Sequence, residues 1–121
     1  MADTAVAVTA LTEGTISGDL VAGGTSVTTG NVAVIAALGE TRNLIIGMYA
    51  ASASVVTVQA GANPPAQRAD VGANATNTVG AGEVRLLTIE GGRFVQANGT
   101  VRITVGANTV IFRVLRIPPT L

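Results

Sequence analysis

The sequence predicts an all-β fold: an antiparallel β-sandwich or β-barrel of about eight to nine short strands. An extended N-terminal arm is expected over residues 1–12, and one β domain over residues 13–121. Three observations predict this. Apolar residues recur with period two in short runs. Gly- and Asn-rich turns separate those runs at intervals of about 8–12 residues. No window keeps a helical pattern, because Gly and Val interrupt each Ala-rich stretch. A chain of 121 residues is one domain's worth of polypeptide. With 48% hydrophobic and 12% charged residues, it is too apolar and too poor in charge to be disordered.

Taken in order, Thr4 to Leu11 alternates larger and smaller residues, with Val6 and Val8 on one face. No turn former appears before Gly14, so this arm can pair within its own sheet or add to a neighbour's sheet edge. Ile16–Val21 and Val32–Leu38 read as strands, set apart by the turn residues Ala22-Gly23-Gly24-Thr25 and Thr29-Gly30-Asn31. Arg42–Ala50 and Ala53–Ala60 follow, joined through Ala51-Ser52. Gly47, inside its strand, marks a bulge or a close backbone approach.

From Gly61 to about Asn77 the chain reads as one long irregular stretch. Pro64-Pro65 removes two backbone donors and keeps this stretch out of a central strand. Loops of this length in a compact domain are commonly functional or ordered by a partner. Glu83–Ile89 then sets Glu83 and Arg85 against Val84 and Leu86. Arg93–Ala97, Val101–Val105 and Thr109–Ile117 are the last three strands. Asn98-Gly99 suits a type I′ hairpin and Gly106-Ala107-Asn108 a three-residue hairpin loop, so these strands should form an antiparallel meander. Pro118-Pro119 ends the last strand and blocks edge pairing beyond it.

Composition excludes several functions. The chain has neither His nor Cys, so zinc fingers, Cys nucleophiles, disulfides and Ser-His-Asp triads are ruled out within it. Seven acids balance seven bases, leaving no net field to draw the protein onto nucleic acid or an anionic membrane. Tyr49, Phe94 and Phe112 are the only aromatics, too few for the stacking floor of a sugar or single-strand site. The acids are scattered, and no spacing brings two carboxylates together as a glycosidase pair. Gly80-Ala81-Gly82 lacks the helix that a dinucleotide fingerprint needs. The opening Met1-Ala2-Asp3-Thr4 carries an acid where a secretory signal would carry positive charge, so the sequons at Asn74 and Asn98 are expected to be incidental. The longest apolar run, Val32–Leu38, is far short of the ~20 residues of a membrane helix. No cofactor, no metal and no enzymatic activity are expected. All seven bases are Arg, the cation favoured at interfaces, and Arg85, Arg93, Arg102, Arg113 and Arg116 fall in the C-terminal region.

Two pairs of segments carry a family resemblance. Arg42-Asn-Leu-Ile-Ile with Ser54-Val-Val-Thr-Val-Gln-Ala-Gly-Ala-Asn-Pro-Pro-Ala-Gln-Arg68 is one, and Gly92-Arg-Phe-Val-Gln-Ala-Asn-Gly99 with Val110-Ile-Phe-Arg-Val-Leu-Arg116 is the other. Together they resemble head decoration (capsid cement) proteins of tailed phages infecting actinobacteria. The resemblance covers roughly residues 42 to 116, and Val84–Glu90 departs from it in bearing no aromatic. It implies a structural virion protein, made in the host cytoplasm and held on the capsid exterior. Its expected partners are the major capsid protein and two further copies of itself in a homotrimer at three-fold sites, with neither nucleic acid nor membrane bound.

A tail or head-completion protein, or a carbohydrate- or cell-surface-binding β-sandwich module, are the alternatives. Under the decoration reading the expected interface residues are Val6 and Val8 of the arm and Asn63, Pro64, Pro65 and Arg68 of the long loop.

Overall fold

Alternating burial along each run converts the sequence pattern into two stacked sheets. The structure is a computed structural model, and it describes residues 2–11, 19, 21–36, 44–59, 75–88, 94, 96 and 99–117. These residues form ten strands. They are β1 (Asp3–Val6), β2 (Val8–Ala10), β3 (Thr25–Val27), β4 (Val32–Ala36), β5 (Leu44–Ala50), β6 (Ser54–Val58), β7 (Ala75–Val79), β8 (Glu83–Leu87), β9 (Thr100–Val105) and β10 (Val110–Arg116).

The first sheet runs β1-β4-β9-β6-β7 and the second β2-β10-β5-β8, with β3 also paired to β10. Neither sheet closes into a barrel, so the sandwich is the correct half of the expectation. Both sheets are mixed rather than purely antiparallel: β1 lies parallel to β4, and β2 parallel to β10. The arm is the cause of both parallel pairings. It is an edge strand of the first sheet up to Val6 and changes sheets across Ala7. It then joins the second sheet at Val8, where Leu11 N–H still donates to the Arg116 carbonyl at 2.8 Å. Arg102 fastens its start through two hydrogen bonds to the Asp3 carboxylate, at 2.7 and 3.0 Å.

The core lies between the sheets. Val56, Val58, Ile35, Val101, Ile103 and Val105 come from the first sheet; Leu44, Ile46, Met48, Val110, Phe112 and Val114 come from the second. These are the alternate residues of their strands, as a pleated strand buried on one side requires.

Three connections differ from the sequence expectation. β9 and β10 are not a hairpin. Gly106–Asn108 carries the chain from one sheet to the other, secured by Gly106 N–H to the Val55 carbonyl at 2.8 Å and Asn108 N–H to Ser54 Oγ at 3.2 Å. The turn before β9 closes one residue earlier than a type I′ turn centred on Asn98-Gly99 would: Gly99 N–H donates to the Gln96 carbonyl, and Gln96 N–H to the Thr100 carbonyl. Gly99 sits at φ 80°, the left-handed position of a glycine bulge. Finally, β3 and β7 arise where turn or loop was expected. Thr25–Val27 lies beside Gly23-Gly24, and Ala75–Val79 is short, small and polar, so neither carries a strong apolar alternation. Of the expected strand Ile16–Val21, Asp19 and Val21 alone are described, and they belong to a turn whose Val21 and Ala22 N–H groups donate to Asp19 Oδ1.

Gly47 pairs with Arg113 in unbroken register, so it marks a close approach and not a bulge. A side chain there would meet the Arg113 carbonyl at 3.3 Å and Leu86 Cδ2 at 3.7 Å.

Candidate interaction surface

The outward-facing residues of β10, β5 and β8 are mainly apolar, with Arg113 among them and Ser26 and Thr9 beside them on β3 and β2. Residues directly opposite one another in paired strands share a side. The pairings Leu115–Ile45, Arg113–Gly47–Leu86 and Ile111–Tyr49–Val84 therefore place all of these outward, because Ile46, Met48, Phe112 and Val114 occupy the inward side. Exposure rises across the sheet toward its β8 edge, from 9% at Leu115 to 46% at Val84 and 64% at Leu86. Val84 and Leu86 are the two most exposed large hydrophobic residues among those described. Between them and β10, the missing side chain of Gly47 leaves a shallow hollow bordered by Val21, Tyr49, Val84 and Ile111.

Arg113 is the cation of this face. Its Nη1 donates to the Gly23 carbonyl at 2.6 Å, which spends part of the guanidinium on the turn ahead of β3. Its Nε is buried without a hydrogen-bond partner among the described residues. Arg113 and Arg116 face opposite sides of β10, since 113 shares its side with Gly47 and 116 with Leu44.

On β8 the usual pattern is inverted. Hydrophobic patterning would bury Val84 and Leu86 and expose Glu83 and Arg85. The register instead puts Glu83 opposite Ala50 and Arg85 opposite Met48, on the inward side, with Leu87 opposite Ile46. The inward side is habitable for charges because the sandwich is open between the β7 and β8 edges. A cleft of about 220 Å³ lies there, lined in part by Met48, Asn77, Val79, Arg85 and Leu87. Glu83 and Arg85 remain hydrated and pair with each other, Arg85 Nη2 lying 2.9 and 3.0 Å from the two carboxylate oxygens. Val84 and Leu86 are left on the outer face, uncovered by any other described residue.

The residues expected from sequence to form an interface are dispersed. Val6 is 4% exposed and sits in the core, so in this subunit it serves packing. Val8 is half-buried, pairs with Val114 and packs against the same core. Asn63, Pro64, Pro65 and Arg68 lie outside the described residues. Val84 and Leu86 were missed as surface residues. Their signal, a two-to-two alternation of charged and apolar side chains, states the period but not which half faces inward.

No group of acidic residues placed to hold a metal ion occurs among the described residues. No helix among them is long and apolar enough to cross a membrane. The chain matches no protein-family model, no curated protein and no solved structure.

Proposed function

We propose that this chain is a structural virion protein: a head decoration protein that binds the outside of the mature phage capsid and braces it, as a trimer at three-fold sites. The single observation that carries the reading is the pair of motif stretches within residues 42–116 that resemble such proteins. The geometry is compatible with that role in two respects. A two-sheet core with buried Phe112, Ile35, Ile46 and Ile103 is a rigid platform. The apolar side chains Val84 and Leu86 stand outside it, where they gain only by being covered. Each such contact is weak, and repetition of the same contact over a symmetric shell multiplies it.

Cosedimentation with capsids of the cognate phage, stripped of this protein, tests the reading. The protein should pellet with expanded capsids, leave unexpanded procapsids bare, and show a solution or capsid-bound stoichiometry of three. Equal binding to both particle forms would contradict the maturation-specific part. No binding to either, with a ring of six or twelve copies in solution, would replace the reading with a tail or head-completion protein.

A further inference from the structure

The geometry points to a second contact, independent of any capsid: β8 pairs antiparallel with β8 of a second copy of this chain, across a two-fold axis at Val84. Among the described residues, β8 is the outer strand of the second sheet, hydrogen-bonded to β5 on one side only. An outer strand presents a row of backbone donors and acceptors, and proteins commonly guard it with charge. Glu83 and Arg85 are charged, but they are of opposite sign and two residues apart on one side of the strand. That arrangement guards against some registers and favours one.

A two-fold axis perpendicular to the joined sheet keeps each side chain on its own face, so the two strands must be centred on a residue. Centring on Glu83 sets Glu83 against its copy, and centring on Arg85 sets Arg85 against its copy; like charges directly opposite are unfavourable. Centring on Leu86 leaves Glu83 with no residue of β8 opposite it and pairs Arg85 with Leu87. Centring on Val84 alone sets each Glu83 against the Arg85 of the second copy, two attractive pairs in place of one pair within each strand. On the other face the same register stacks Val84 on Val84 and brings Leu86 beside Gly82 of the second copy. Gly82 has φ +70° and, among the described residues, open space where a side chain would stand, so Leu86, 64% exposed in one copy, can lie there. The charge pattern, the exposed apolar pair and the vacant glycine thus select one occupant and one register. Being two-fold, the contact joins one assembly to the next and does not close a ring of three; it stands whether or not the chain decorates a capsid.

Sedimentation equilibrium or light scattering over a concentration series up to about 1 mM, where weak association is still populated, reads the contact. Wild type should show a concentration-dependent doubling of mass. Arg85→Glu should raise the dissociation constant of that step roughly tenfold or more, because two attractive cross-strand pairs become repulsive. The double variant Glu83→Arg/Arg85→Glu restores opposite signs in the same register and should recover the doubling. Circular dichroism of all three should be alike, since both side chains are solvated. Absence of any doubling in wild type, doubling unaffected by Arg85→Glu, or failure of the double variant to recover it while folded would each overturn the pairing. Loss of capsid binding with the doubling intact would sink the decoration reading and leave this one standing.

Discussion

On the outer face of the first sheet, Thr57 and Thr76 bring their hydroxyls to 3.3 Å, Gln59 donates to Thr104 Oγ1 at 3.0 Å, and Arg102 grips Asp3. On the outer face of the second, Ile45, Tyr49, Ile111, Val84 and Leu86 share the side of Arg113, with Ser26 and Thr9 at the β3 and β2 margins. Both faces rest on the same core and the same pleat. On the first these polar groups are satisfied by neighbours, so a partner would have to replace interactions already made. The second has apolar area in water, and covering it returns about 25 cal/mol for each Å² removed. Exposed apolar area is present on both faces, Val55 being 38% exposed on the first, but its largest members, Val84 and Leu86, stand on the second.

The arm ties the two faces together, and loosening it gives the largest stability effect expected here. Val6→Ala removes buried apolar volume where the chain passes from one sheet to the other, and should cost about 1–3 kcal/mol in chemical denaturation. An unchanged midpoint would mean that the arm is not docked on the two sheets in solution.

A smaller effect separates the faces by pH. Hydrogen bonding from Arg102 holds the Asp3 carboxyl below its usual range. A lowered carboxyl stabilises the fold in full above its unfolded value, near pH 4, and that contribution is lost as pH falls through the lowered folded value. The pair is solvated, so a modest change is expected. Wild type should melt slightly above Asp3→Asn at neutral pH, with the gap closing below about pH 4. Equal melting temperatures at neutral pH would show that the ion pair contributes nothing to holding the arm.

Much of the fold was legible in the residues. Period two located β4, β5, β6, β8, β9 and β10, because each has apolar side chains on at least one face and turn residues at its ends. What period two cannot state is the partner. Val6-Ala7-Val8 reads as one strand, yet its halves belong to different sheets. Gly106–Asn108 announces a reversal equally well for a hairpin and for a crossing between sheets; bonds to Val55 and Ser54, some fifty residues earlier, decide it.

The interaction surface was less legible. The outward placement of Val84 and Leu86 follows from the register of β8 on β5 and from the open edge that tolerates Arg85 inside. Both are tertiary facts. The arm was read correctly as extended, but Val6 proved to be core.

The contrast between the faces is tested most directly by one paired measurement: the affinity of Leu86→Asp and of Thr76→Asp for expanded capsids, side by side with wild type. Both positions are exposed, so both variants should keep the fold within about 0.5 kcal/mol. The account predicts that Leu86→Asp binds at least tenfold more weakly and Thr76→Asp binds like wild type. Retained binding by Leu86→Asp, with loss of binding by Thr76→Asp, would contradict it and make the hydroxylated face of the first sheet the one that meets the shell.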